Sequence, residues 1–235
     1  MQIGILQTGH APDALIPDHG DYPAFFERLL AGQGLDFTTF AVCDGEMPPG
    51  LEAAEGWLIT GSRHGAYEDH AWIPPLEDFI RQVHAAGQPM VGICFGHQVI
   101  AQALGGRVEK FDGGWSVGRT DYVFDDTAGG GFAGEVLSLN AWHQDQVTRA
   151  PDGARLLASS NICRNAALAY GDSILTIQPH PEFTAPVVAG LIDGRGRGVV
   201  PDALLDRAQA VLDRPVDTDR AARMIGDFLK GTLRV

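Results

Sequence analysis

Residues 89–106 read PMVGICFGHQVIAQALGG, and their order decides the fold. An apolar run at 90–93, too short for a helix, leads into Cys94, which lies between Gly92 and Gly96 and is followed by a helix-forming stretch at 98–104. Strand, sharp turn and helix in that order form a nucleophile elbow. A strained turn holds a reactive side chain clear of the backbone, and small neighbours let the chain fold close beside it. The N-terminal amides of the helix point at the thiol and favour its thiolate. Cys94 is therefore read as a nucleophile placed to attack a carbonyl. Burial in the core is the ordinary fate of a free thiol, but that role gives no reason for a glycine on each side. Cys43 and Cys163 have no such setting and are read as packing residues. Three widely spaced cysteines give neither a disulfide framework nor a C-x-x-C metal pair.

Outward from the elbow, short apolar runs at 2–6, 37–42 and 56–59 read as strands, with amphipathic helical stretches at 22–31 and 76–86 between strands of the first half. This alternation predicts an α/β fold with a mainly parallel sheet and helices on both faces. The segment from about 107 to 170 carries strand-like runs at 122–124, 135–139 and 155–158 without long helical periods, which predicts antiparallel hairpins at one edge. A further strand is expected at 174–177, and helices at 203–212 and 218–229. GLIDGRGRG, residues 190–198, reads as a solvated loop. No linker divides the chain, so residues 1–235 are expected to form a single domain with a helical C-terminal extension from about 185 to 235.

Composition narrows the function. With 17 Lys+Arg against 30 Asp+Glu the formal charge is −13, the wrong sign for a phosphate-neutralising surface, so a nucleic-acid partner is not expected. The start, MQIGILQTGH, has no basic leader region, and no apolar run approaches a membrane span. A cytoplasmic protein with no membrane contact is the expectation.

A cysteine nucleophile needs a base and a group to orient that base. ILTIQPHPEF, residues 174–183, offers both in His180, bracketed by Pro179 and Pro181, and Glu182 two residues on. In an extended segment the two side chains would share a side.

GICFGHQ together with QPHPE, in this order and separation, resembles the class I (triad) glutamine amidotransferases, and the likeness runs over nearly the whole chain. The resemblance implies a flavodoxin-like three-layer α/β/α fold with C-terminal helices. It implies that Cys94 attacks the γ-carboxamide of glutamine, His180 shuttles protons, Glu182 orients His180, and a γ-glutamyl thioester forms. It also assigns the amides of Gly61 and Phe95, the first within GWLITGSRHGAYED (56–69), to an oxyanion hole, although this chain has Gly61-Ser62-Arg63 where many relatives have Gly-Gly-Pro. Gln98 matches a position that binds the amino acid end of the substrate, and His143, Gln144 and Asp145 match a segment whose backbone holds the same groups. A metal at His143 and Asp145 is rejected for want of a third ligand, and no cofactor is expected. His64, His70, His97 and Trp115 lie in or beside these loops, where packing or surface exposure is the expected role.

The leaving group stays open. With about fifty residues after His180 there is no room for an acceptor domain, so the chain reads as a free-standing glutaminase that serves an acceptor or synthase subunit, or as a stand-alone hydrolase. GGWSVG (113–118) resembles the stand-alone branch, which includes γ-glutamyl peptidases and members likened to the glutaminase domain of GMP synthase. A glutamine-binding regulatory protein is disfavoured because a sensor gains nothing from a reactive thiol and paired imidazole. Related cysteine hydrolases or chaperones of the flavodoxin-like superfamily lack the PHPE element.

Overall fold

The computed structural model describes residues 1–129 and 131–234. In chain order the elements are β1 (Gln2–Leu6), α1 (Ile16–His19), α2 (Tyr22–Leu29), β2 (Asp36–Phe40), β3 (Gly56–Ile59), α3 (Ile73–Ala86), β4 (Met90–Ile93), α4 (Phe95–Ala103), β5 (Arg107–Lys110), β6 (Ser116–Phe124), β7 (Val136–His143), β8 (Asp145–Arg149), β9 (Ala154–Ser159), β10 (Ala167–Tyr170), β11 (Ile174–Ile177), α5 (Ala185–Leu191), α6 (Asp202–Gln209) and α7 (Thr218–Leu229). Nine strands form one sheet in the order β2-β1-β3-β4-β11-β10-β9-β6-β7, and β5 and β8 form a separate antiparallel pair. From β2 to β11 every pairing is parallel; beyond β11 every pairing is antiparallel.

Strand periodicity of two sorts side chains between two faces. Ile3, Ile5, Leu58, Val91, Ile93, Leu175 and Ile177 face α2 and α7, and pack with Phe26, Ile225 and Phe228. Trp57, Ile59, Met90 and Ile174 face the other way, against Leu76, Ile80, Val99 and Ile100 of α3 and α4. Because both faces are covered, the central strands are apolar at nearly every position, as buried parallel strands require. Each large apolar side chain buried this way contributes about 1.5–3 kcal/mol. A third cluster, outside the parallel sheet, joins Leu15, Tyr22 and Phe25 to Phe183, Val188, Leu191 and Leu205.

The antiparallel half departs from the sequence expectation in extent. β6 starts at Ser116 and β7 continues to His143, well beyond the apolar runs that mark them in the sequence. β5, β8 and β10 have no such mark. β5 and β8 carry one apolar residue each, and β10 (ALAY) is half alanine, a residue depleted in strands. Residues 190–198 are not a solvated loop. Ile192–Gly196 is a π-helical turn continuing α5, with Ile192 and Gly196 buried against the third cluster and Arg195 beside the pocket described next.

Candidate active site

Cys94 follows β4 directly and precedes the first residue of α4, three residues earlier than the helical composition begins. Its backbone sits at φ 52° and ψ −100°, and it is the sole non-glycine residue with positive φ among the described residues. Such a conformation costs about 1–3 kcal/mol and persists only where its surroundings enforce it. Three hydrogen bonds do so. Cys94 N–H donates to the Ile177 carbonyl at 2.9 Å, its carbonyl accepts from Gln98 N–H at 3.0 Å, and Gly96 N–H donates to the Thr60 carbonyl at 3.2 Å. The flanking glycines are steric requirements: a Cβ on Gly92 would lie 2.6 Å from the Gly96 carbonyl oxygen, and one on Gly96 would lie 2.5 Å from that of Ile59.

His180 stands beyond the end of β11, close to Cys94 on one side and hydrogen-bonded to Glu182 on the other. The distance from Nδ1 to Glu182 Oε1 is 2.6 Å, and both side chains are almost fully buried. The contact predicted between positions i and i+2 is made, but by a turn; Phe183 N–H closes it by donating to the His180 carbonyl at 3.4 Å. Asn140 of β7 pins both ends, its carbonyl accepting from His180 N–H at 2.8 Å and its Nδ2 donating to the Phe183 carbonyl at 2.9 Å. The Phe183 ring lies on the imidazole at 3.9 Å and 2°. Burial alone would push the imidazole towards neutrality, but the neighbouring Glu182 carboxylate and Cys94 outweigh it and hold the pKa above the ordinary histidine value.

Gly61, just past β3, also borders this centre: a Cβ there would stand 2.9 Å from His180 Cε1 and 3.8 Å from Cys94 Cβ. Among the described residues the backbone amides of Gly61 and Phe95 donate to no other group. Cys94 and His180 open into a cavity of about 360 Å³ with two unlike walls. The polar wall holds Gln98, His143, Gln144, Asp145, Tyr67 and Lys110. Gln98 spends its amide nitrogen on the Asp145 carbonyl (2.9 Å) and Gln178 Oε1 (3.2 Å), which leaves its own oxygen for a ligand donor. His143 sets Nδ1 3.2 Å from the Asp145 carbonyl, and its buried Nε2 has no partner among the described residues. Burial and the nearby His180 hold it neutral, at a pKa of about 3. Asp145 is raised by burial, against the pull of Tyr67 and Lys110. The Gln144 carbonyl accepts from Phe111 N–H at 3.2 Å, so part of this segment's backbone is already engaged within the chain. The second wall is apolar: Tyr22, Trp115, Trp142, Phe183, Leu191 and Val200 belong to one packed cluster, and Arg195 also lines the cavity.

His97 faces away, buried with Nδ1 2.7 Å from Thr176 Oγ1 and held neutral at about 3 by burial. His64 borders the pocket and pairs with Glu68, as does His70. Sequence reasoning missed Asn140, Tyr67, Phe183, Trp142 and Arg195. Tyr67 and Phe183 fall inside segments already singled out, but nothing local marks their contacts.

A buried, strained cysteine at the end of a parallel strand, beside a hydrogen-bonded histidine–glutamate pair, defines a class of α/β proteins suited to acyl transfer. The sequence profile of the family Glutamine amidotransferase class-I matches residues 56–187, and the chain belongs to that family. It is 36% identical to gamma-glutamyl peptidase 4 of Arabidopsis thaliana over 74% of this chain and 73% of that protein. It is 31% identical to a glutamine-hydrolyzing GMP synthase subunit of Halobacterium salinarum over 72% of this chain and 87% of that one. Among solved structures, a glutamine amido transferase from Methylobacillus Flagellatus superposes with a TM-score of 0.79 at 22% identity, over 100% of this chain and 96% of that chain, and shares the fold.

Proposed function

We propose that the protein hydrolyses γ-glutamyl amides, with Cys94 as nucleophile, His180 as proton carrier and Glu182 as the carboxylate that orients it. The observation that carries this reading is the placement of Cys94 beside the hydrogen-bonded His180–Glu182 pair, with Cys94 and His180 both lining the cavity. The Cys94 sulfur attacks the γ-carbonyl carbon as its proton passes to His180. The amides of Gly61 and Phe95 receive the oxyanion, as backbone donors do in acyl transfer. Collapse breaks the C–N bond, His180 gives its proton to the departing nitrogen, and a γ-glutamyl thioester remains. Water, deprotonated by His180, then cleaves the thioester and releases glutamate. Gln98, through its free oxygen, binds the substrate ammonium, with His143, Gln144 and Asp145 beside it. We read residues 1–235 as one domain of this kind, acting in the cytoplasm without a cofactor.

The leaving group divides two readings. Ammonia from glutamine needs no apolar surface, whereas the wall of Tyr22, Trp115, Trp142, Leu191 and Val200 suits an amine or peptide of substantial size. That favours γ-glutamyl peptides or conjugates, in line with the similarity to a gamma-glutamyl peptidase. The similarity to a GMP synthase component supports the second reading, a glutaminase that delivers ammonia to a synthase partner. Rates on glutamine and on γ-glutamyl peptides, measured with the isolated chain, test both. Turnover of peptides with negligible glutaminase activity supports the first; weak turnover of both, raised by a co-purifying synthase, supports the second; no release from either substrate, with or without that synthase, overturns the proposal.

A further inference from the structure

Beside the pocket, the carboxyl ends of β1 and β2 bring together a cluster that the chemistry above does not use. His10 Nε2 lies 3.1 Å from Asp44 Oδ2 and 3.7 Å from Cys43 Sγ, and the donor atoms of the three residues all fall within 4.8 Å of one another. A tetrahedral zinc ion with bonds of roughly 2.0–2.3 Å has ligand-to-ligand edges of about 3.3–3.6 Å, close to both distances. From behind, Asp21 Oδ2 lies 2.6 Å from His10 Nδ1. Asp21 is itself fixed by Ala11 N–H and Tyr22 N–H, each at 2.8 Å, and by Gln7 Nε2 at 2.7 Å. Nδ1–H donating to that carboxylate leaves the Nε2 lone pair aimed at Cys43 and Asp44, which is how metal-binding histidines are oriented by an outer carboxylate.

We propose that His10, Cys43 and Asp44 bind a zinc-class divalent ion, with Asp21 as the outer partner that orients His10. Thiol, imidazole and one carboxylate suit zinc, while calcium and magnesium prefer oxygen ligands throughout. His10 and Asp44 are exposed, so solvent can complete the coordination. On binding, the Cys43 S–H proton leaves to water and an S–metal bond takes its place. The chain's charge of −13 attracts a cation to the site. The site also touches the apolar wall: Arg195 Nη2 donates to the His10 carbonyl at 3.3 Å, and Asp21 caps the helix that carries Tyr22.

Cobalt(II) titration of the chelator-treated full chain tests the proposal, because thiolate-to-cobalt charge transfer and strong tetrahedral visible bands report the ligands directly. One cobalt per chain is expected, displaced by zinc, with the charge-transfer band kept in Cys94→Ala and lost in Cys43→Ser. Asp21→Asn is expected to keep the band and to weaken affinity about 10- to 100-fold. His70→Ala is expected to change nothing, since it disrupts only the separate His64, Glu68 and His70 cluster. Absence of the band in the wild-type chain, its survival in Cys43→Ser, or its loss in Cys94→Ala overturns the site. Unchanged affinity in Asp21→Asn overturns the role given to that carboxylate.

Discussion

The parallel and antiparallel halves of the sheet contribute to the site in different ways. The parallel half delivers Gly61, Cys94 and His180 just beyond the carboxyl ends of β3, β4 and β11, where open α/β sheets place their ligands. Each is fixed by backbone geometry, so the three converge with little freedom. The antiparallel half supplies part of the walls. β7 gives the wall residues Trp142 and His143 and the turn-pinning Asn140, while Asp145 opens β8 of the separate β5–β8 pair. The chemistry proposed for the site thus resides in a rigid junction, while the identity of the leaving group rests on side chains that can vary without disturbing that junction.

Four experiments can break or sharpen this division. Cys94→Ala should lower turnover by at least about 10⁴-fold while leaving circular dichroism unchanged, since nothing else in the site can form the acyl intermediate. Glu182→Gln should cost about 10²–10⁴-fold in kcat. It should also change the pH dependence of stability. A histidine held above its ordinary pKa adds stability that is full below about 6.5 and is lost as pH rises through the raised value. That alkaline loss should therefore flatten in Glu182→Gln, as read from urea midpoints between about pH 6.5 and 9.

The third experiment is on the fold of the junction. Gly96→Ala drives a methyl into the Ile59 carbonyl and should destabilise by about 1–3 kcal/mol with strong loss of activity, seen in urea unfolding. The smallest effect belongs to the antiparallel half. Trp142→Ala should reduce kcat/KM for a bulky γ-glutamyl peptide by about 10-fold and leave free glutamine nearly unaffected. An equal loss on both substrates would sink the assignment of that wall to the leaving group.

Buried histidines add a test in acid. His97 and His143 are held near 3, below the unfolded value of about 6.5, so the unfolded chain binds more protons as pH falls. Each should remove about 1.4 kcal/mol of stability per pH unit below about 6.5, and His97→Gln should halve the slope due to this pair.

The elbow was legible because its signal is local: Gly92, Cys94 and Gly96 lie within five residues, although only the conflict at Gly92 lies within the turn and that at Gly96 is with Ile59 of β3. The pairing of His180 with Glu182 was legible for the same reason, although a turn and not an extended segment makes it. Asn140 was not legible, because a single asparagine in a strand carries no mark of the distant turn that it pins. Arg195 was hidden in a glycine-rich stretch that resembles solvent-exposed loop, and only the packing of Ile192 and Gly196 turns it towards the pocket. Cys43 read as a packing residue on its own neighbours; His10 and Asp21 approach it only when β1 and β2 pair.

The sequence by itself determined the alternation of strands and helices, the parallel core and the elbow at Cys94, because hydrophobic periodicity and the order strand, glycine-flanked cysteine, helix are patterns of near neighbours in the chain. The tertiary structure decided the extent of the antiparallel half, the two unlike walls and the gathering of His10, Asp21, Cys43 and Asp44. Those depend on strand pairing and on burial across dozens of residues, and contacts at such separations leave no period or spacing in a single sequence.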